Sequence, residues 1–220
     1  MKISILVPIK RLDISKQRLS SVLSVAARKA LVIAMAHDVM TALTEAKSVA
    51  EIVVVTCDPV AASVARPFGA RILTEGADDG HSHAIRTGVE ALRDAGAEDV
   101  MTVPIDVPLV TAQEIDTVAD NHPRKPGFSI VPARDRFGSN CILSSPPGIV
   151  QPMFGPGSFE SHCAAARSAG AEVRILELPG LGLDIDTPED IEAFMRIGQG
   201  THTAAIVADA MFSFHGGAAL

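Results

Sequence analysis

Four of the nine residues at positions 10–18 are cationic, Lys10, Arg11, Lys16 and Arg18, in a chain of net charge −7. They follow an apolar, strand-like run, Ile3-Ser4-Ile5-Leu6-Val7-Pro8. A positive loop at the carboxyl end of a first strand is where an open α/β sheet holds phosphates, so Lys10, Lys16 and Arg18 form a candidate polyphosphate grip. Asp106 lies between Val103-Pro104-Ile105 and Val107-Pro108-Leu109. A carboxylate there either caps a turn or offers a hard oxygen ligand to a phosphate-bound Mg²⁺. In Leu183-Asp184-Ile185-Asp186, strand alternation sends both acids to one face, where one or both complete a metal site with Asp106. Two further stretches, Asp135-Arg136-Phe137-Gly138-Ser139-Asn140 and Phe154-Gly155-Pro156-Gly157-Ser158-Phe159 with His162 beyond, offer backbone N–H groups and hydroxyls to a second anion. Ser158 also reads as a helix N-cap, and the roles are compatible because a helix start attracts anions.

A fifth group, Glu75, Asp78, Asp79, His81 and His83, has a composition that binds Zn²⁺ or Mn²⁺. The same stretch reads as a polar turn before a helix, and a loop touching a base and its phosphates is the preferred assignment.

These groups need a scaffold that collects them. Short β-branched runs alternate with helical periodicity: strands at 3–7, 51–56, 70–74 and 100–104, helices at 26–46 and 83–95. Asp58-Pro59 marks an N-cap and first helical residue, Thr111-Ala-Gln-Glu114 a capping box, and Thr187-Pro188-Glu189-Asp190 a further helix start. Asp190 therefore serves the backbone amides of its own helix. This order predicts an α/β, three-layer sandwich around a mostly parallel sheet, with the site at the carboxyl ends of its strands. After Pro126 the rhythm changes, with short strands at 128–132 and 141–143 and prolines 146, 147, 152 and 156, which reads as a small β-rich insertion or lid. A helix at 159–168, a strand at 172–178 and a helix at 188–197 return to the sheet theme.

At 220 residues and 47% hydrophobic the chain can bury a full core, and one domain at 1–198 is expected. The stretch 199–220, whose one formal side-chain charge is Asp209, is expected to be loosely ordered or to pack on a second copy in a homodimer. The negative net charge opposes broad nucleic-acid or membrane-surface binding. Three dispersed cysteines, Cys57, Cys141 and Cys163, suggest neither a disulfide framework nor a zinc ribbon, and no apolar run is long enough to span a bilayer, so a cytoplasmic protein is expected. GxGxxG, GxxxxGK[ST] and GxSxG signatures are lacking.

Taken in order, Val7-Pro8-x-Lys10 with Lys16-x-Arg18-Leu19, Asp106-x-Pro108-Leu109, Asp135-x-x-Gly138-Ser139-Asn140, Phe154-Gly155-x-Gly157-Ser158-Phe159-x-x-His162 and Leu183-Asp184-Ile185-Asp186-Thr187-Pro188-x-Asp190 resemble the guanylyltransferases of deazaflavin coenzyme (F-420) biosynthesis. The resemblance spans residues 3–197 and implies a compact nucleotidyltransferase fold. It also implies transfer of GMP from GTP to the phosphate of a three-carbon phospho-acid: 2-phospho-L-lactate, phosphoenolpyruvate or 3-phospho-D-glycerate. Carried onto this chain, it assigns the GTP phosphates to Lys16 and Arg18, Mg²⁺ to Asp106 and Asp186, and the acceptor to Ser139, Gly155 and Ser158. Pro8, Lys10, Glu75, Gly80 and Ser82 join the nucleotide side, and Asn140 the acceptor side. Two departures stand out: Ser139 replaces the family's usual threonine, and Gly80-His81-Ser82-His83 replaces a usual Gly-Leu-Asn stretch. Molybdopterin guanylyltransferase-like and CDP-alcohol-forming enzymes are the next alternatives, but their Ala-Gly-Gly-x-Ser-x-Arg start is absent. A non-catalytic nucleotide-binding regulator is a third reading, which retention of Lys16, Arg18, Asp106 and Asp186 together opposes.

Overall fold

The structure, a computed structural model, describes residues 1–74 and 80–216. Among these, β1 (Ile3–Pro8), β2 (Val49–Val55), β3 (Arg71–Leu73), β4 (Val100–Thr102), β5 (Gly127–Pro132), β6 (Ser139–Ser145) and β7 (Glu172–Ile175) form one sheet in the order β3-β2-β1-β4-β6-β5-β7. All neighbours pair in parallel except β6, which runs antiparallel to both β4 and β5. β1 is buried along its whole length, as a strand covered on both faces must be. Ile3, Ile5 and Val7 join one core cluster and Leu6 another.

Helices α1 (Val25–Glu45), α2 (Pro59–Ala65), α3 (His81–Asp94), α4 (Ala112–Asp120), α5 (Ser158–Ser168), α6 (Pro179–Gly182), α7 (Pro188–Met195) and α8 (His202–Gly216) cover the sheet. Leu31, Met35, Val39 and Leu43 of α1 share the cluster of Ile5 and Val7 with Ile115 and Val118 of α4. Ala84, Ile85, Val89 and Leu92 of α3 cover the other face with Leu6, Val53 and Val55. Gly88 permits this close approach, because a Cβ there would stand 2.5 Å from a Leu6 methyl. α5 packs Phe159, Cys163 and Ala166 on Phe128, Ile130 and Ile142.

The expected caps form. Asp58 Oδ1 accepts from the amides of Val60 and Ala61, and capping boxes open α4 at Thr111 and α7 at Thr187. α3 begins at His81, two residues before the expected start. The β-rich stretch after Pro126 enters the main sheet itself: β6 is the partner of β4, so residues 139–145 are structural centre and not a flap. No strand forms at 183–186; Gly182 ends α6 and the chain crosses to α7 without ladder pairing, so the alternation argument for Asp184 and Asp186 does not hold.

Residues 202–216, expected to be loosely ordered or to pack on a second copy, form a helix that packs on α1. Its low charge suits a helix lying on the body of the protein, with Val207 buried in the main core. Asp38 of α1 anchors its start: Oδ1 accepts from the amide and Nδ1 of His202, both at 3.0 Å, and Oδ2 accepts from the amide and hydroxyl of Thr203 at 2.8 and 2.7 Å.

β2 and β3 extend the sheet to one side of β1, and β4 extends it to the other. The crevice at the carboxyl ends of β1 and β4 is thus a topological switch point, and the basic loop after β1 opens there beside Asp106. Asp38→Ala should remove the cap on α8 and lower global stability by about 1–2 kcal/mol, read from urea unfolding, with faster proteolytic clipping near residue 202.

Candidate active site

The crevice is a cavity of about 700 Å³. At its floor Lys16 Nζ donates to Asp106 Oδ2 at 2.7 Å and to Asp186 Oδ1 at 2.6 Å, and Arg18 lies 3.7 Å from the other Asp186 oxygen. Lys16 reaches this position from a left-handed backbone, φ 52°, which an L-residue adopts at a cost. Burial alone would lower the Lys16 pKa, but the two carboxylate charges outweigh it and hold the pKa above its usual value. Burial likewise opposes ionisation of Asp106, and Lys16 overrides that to keep the carboxyl below its usual range.

Three ties bring the acids together. The Ile185 amide donates to the Asp106 carbonyl at 2.9 Å, which sets the 183–186 stretch beside the end of β4. The Gly180 amide donates to Glu114 Oε1 at 2.8 Å, and a Cβ at Gly180 would stand 2.3 Å from the Leu109 carbonyl oxygen, so only glycine lets α6 approach. Asp190 Oδ2 accepts from the amides of Asp186 and Thr187, the helix-start role expected of it. Asp184 completes the acidic group: burial, with Asp106 nearby, pushes its carboxyl up to about 6 despite a 3.1 Å hydrogen bond from Asn140 Nδ2.

Gly138, Ser139, Gly155 and Ser158 line another part of the cavity, where Arg134 and Asp135 are also lining residues. The Ser139 amide donates to Ser158 Oγ at 3.0 Å, and His162 lies under both serines with Nδ1 2.9 Å from Ser139 Oγ. Burial pushes His162 down to about 4, and His81, near Lys10, is lowered to about 4 by burial and by the charge of Lys10. Both imidazoles are therefore neutral at pH 7. Phe154 stands between them, with ring centroids 5.3 Å from His81 and 5.1 Å from His162.

Of the residues expected at the site, Pro8, Lys10, Lys16, Arg18, Asp106, Asp186, Ser139, Asn140, Gly155 and Ser158 all line the cavity. Gly80 and Ser82 are not among its lining residues; His81 between them is. Glu75, Asp78 and Asp79 lie outside the described residues, so the mixed histidine–carboxylate loop stays an expectation. Asn140 has a structural tie, since its Nδ2 donates both to the Leu181 carbonyl and to Asp184, which occupies its two amide hydrogens. Phe137 and Arg134 also line the cavity and carried no sequence signal.

Solved structures share this architecture. A candidate nucleotide-diphospho-sugar transferase from Desulfovibrio desulfuricans G20 superposes with TM-score 0.73 over 97% of this chain and 99% of its own, at 16% identity. A cytidylyltransferase from Leptospira borgpetersenii does so with TM-score 0.61 over 99% and 95%, also at 16% identity. These likenesses show a nucleotide-diphospho-sugar transferase-like fold. The family described as "Guanylyl transferase CofC like" matches residues 3–215. A phosphoenolpyruvate guanylyltransferase from Sphaerobacter thermophilus is 37% identical over 84% of this chain and 89% of its own, and one from Conexibacter woesei 34% identical over 92% and 93%. The chain belongs to the guanylyl transferase CofC-like family.

The raised pKa of Asp184 has a definite pH signature. A carboxyl lifted in the folded state favours folding while protonated, so its contribution is complete below the unfolded pKa near 4 and is lost as pH rises through about 6. In metal-free buffer Asp184→Asn should therefore gain stability over the parent at pH 8 and show a smaller difference at pH 5, measured as urea midpoints. An equal difference at both pH values would place the ionised carboxylate at no disadvantage.

Proposed function

We propose that this protein transfers GMP from GTP to the phosphate of a small three-carbon phospho-acid, releasing pyrophosphate, as a step in deazaflavin coenzyme biosynthesis. Phosphoenolpyruvate is the favoured acceptor, a choice supported by the names of the relatives. The observation that carries the reading is one cavity that gathers Lys10, Lys16, Arg18 and the carboxylates Asp106 and Asp186 together with the glycines and hydroxyls of Ser139, Gly155 and Ser158. The buried thiols of Cys141 and Cys163 are consistent with a reducing, cytoplasmic setting, and no helix among the described residues is long and apolar enough to cross a membrane.

A phosphate monoester, second pKa about 6, is largely dianionic at neutral pH, so its oxygen needs no general base to attack the α-phosphorus. The new bond joins acceptor oxygen to α-phosphorus, and the bond that breaks runs from α-phosphorus to the bridging oxygen, whose electron pair leaves with pyrophosphate. Repulsion is the obstacle, since each unit-charge pair at 4 Å costs about 4 kcal/mol at an effective dielectric near 20. Lys10, Lys16 and Arg18 lie in the same cavity to offset it.

Mg²⁺ fits the donor set. Asp106 and Asp186 converge on one ammonium at 2.7 and 2.6 Å, a stand-in cation, and Mg²⁺ characteristically takes one or two carboxylates plus substrate phosphates. In that place the ion would supply positive charge to the phosphate oxygens. Lys16, with fewer carboxylate partners, would then be available to a phosphate oxygen, and Ser139, Gly155 and Ser158 would hold the acceptor in line.

Pyrophosphate release should be measured for the four common nucleoside triphosphates against 2-phospho-L-lactate, phosphoenolpyruvate and 3-phospho-D-glycerate, with mass detection of product. GTP with phosphoenolpyruvate is expected to be the productive pair, and silence of GTP with all three acids overturns the reading. Asp106→Asn should fold normally and lose activity by more than about a hundredfold, beyond what loss of an outer hydrogen-bond partner of a metal ligand costs; near-normal Mg²⁺-dependent release would remove Asp106 from the ion site.

A further inference from the structure

His162 lies on the second turn of α5, 1% exposed, and touches both stretches that frame the Ser139–Ser158 wall. Its Nε2 accepts a hydrogen bond from the Met153 backbone amide at 2.9 Å. A backbone N–H can only donate, so Nε2 carries no proton, and in a neutral imidazole the single proton then sits on Nδ1. Nδ1 faces Ser139 Oγ at 2.9 Å and must donate to it. Ser158 Oγ, 3.3 Å away, is placed to donate to the second lone pair of Ser139 Oγ, while its own oxygen accepts from the Ser139 amide. A hydroxyl has two lone pairs and one hydrogen. With both lone pairs of Ser139 engaged by buried partners, its hydrogen is left to point into the cavity that Ser139 lines.

From this polarity we infer that His162 is a positioning residue: fixed by the Met153 amide, it fills a lone pair of Ser139 Oγ and so makes the Ser139 hydroxyl an obligatory donor to an anionic oxygen of the acceptor. The inference rests on the assignment of the Ser139–Ser158 wall to the phospho-acid. An undirected serine hydroxyl could turn its hydrogen inward and present a lone pair to the incoming anion, which would repel it. A histidine protonated at both nitrogens could not serve, because Nε2–H would face the Met153 N–H. Burial keeps it neutral. Phe154, edge-on to the imidazole at 5.1 Å, and Phe128 at 6.5 Å shield the pair from water.

The test is a double-mutant cycle with GTP and phosphoenolpyruvate as the probes. His162→Leu should raise the KM for phosphoenolpyruvate by roughly tenfold, the scale of one hydrogen bond to a charged group, and leave the KM for GTP unchanged. Ser139→Ala should do the same, and the double variant should be no worse than Ser139→Ala alone, because the histidine acts only through that hydroxyl. His162→Asn sets an amide donor near the former Nδ1 and should restore the acceptor KM to within about threefold of the parent; it also answers the question if the leucine variant does not fold. Additive losses in the double variant, equal changes in both KM values, or failure of asparagine to restore binding would each overturn the role of His162 while leaving the acceptor wall intact. An unchanged phosphoenolpyruvate KM in Ser139→Ala would overturn the assignment of the wall, and this inference with it.

Discussion

One ammonium held between two carboxylates organises the active end of this protein. Lys16 comes from the loop after β1, Asp106 from the end of β4 and Asp186 from the approach to α7, and nothing in the local sequence of any of them requires the other two. The contact carries a stability cost, since partial burial of three charges forfeits hydration that their attraction only partly returns. The left-handed backbone at Lys16 adds to that cost. Such an arrangement is better understood as a charge reservoir than as a staple. Two acids with a third, Asp184, beside them carry more negative charge than Lys16 balances, and that excess is what the proposed divalent cation would offset.

The remainder of the cavity follows from the need to bring two anions into contact. Lys10, Lys16 and Arg18 come from the loop after β1, and the Ser139–Ser158 stretch adds hydroxyls and backbone amides, with Arg134 also lining the cavity. Both histidines that border or support the cavity, His81 and His162, are kept uncharged by burial, and Phe154 packs edge-on against each. The chemical demand on side chains is modest. Under the proposed transfer no nucleophile or base is needed, because the reacting oxygen would arrive ionised and the protein would supply placement and screening.

Much of this was legible before any coordinates. The helix starts at Asp58, Thr111 and Thr187 were read correctly because a cap is a contact within three residues, and local chemistry decides it. The strands β1, β2 and β4 were legible because burial on both faces demands unbroken apolar runs. Ten of the expected site residues meet in one cavity, which loop position after strands was enough to foresee. The readings that failed depended on partners distant in the chain. Residues 183–186 alternate like a strand but have no neighbour to pair with, and β6 was set aside as a flap although it completes the sheet beside β4. Asn140 lines the cavity as expected, and its amide hydrogens also tie it to Leu181 and Asp184, some forty residues away in the chain, which no local pattern announces.

By itself the sequence determined the layered α/β class, the strand-loop positions that carry charge, and the types of group available for phosphate chemistry, because periodicity, capping and charge clustering act over a few residues. Only the tertiary structure decided which acids share the Lys16 ammonium, that α8 lies capped on α1 by Asp38, and which nitrogen of His162 bears the proton. Each of those is a hydrogen bond or ion pair whose sign and geometry are set when segments far apart in the chain are packed together, and no local pattern encodes a partner that only the completed sheet brings within 3 Å.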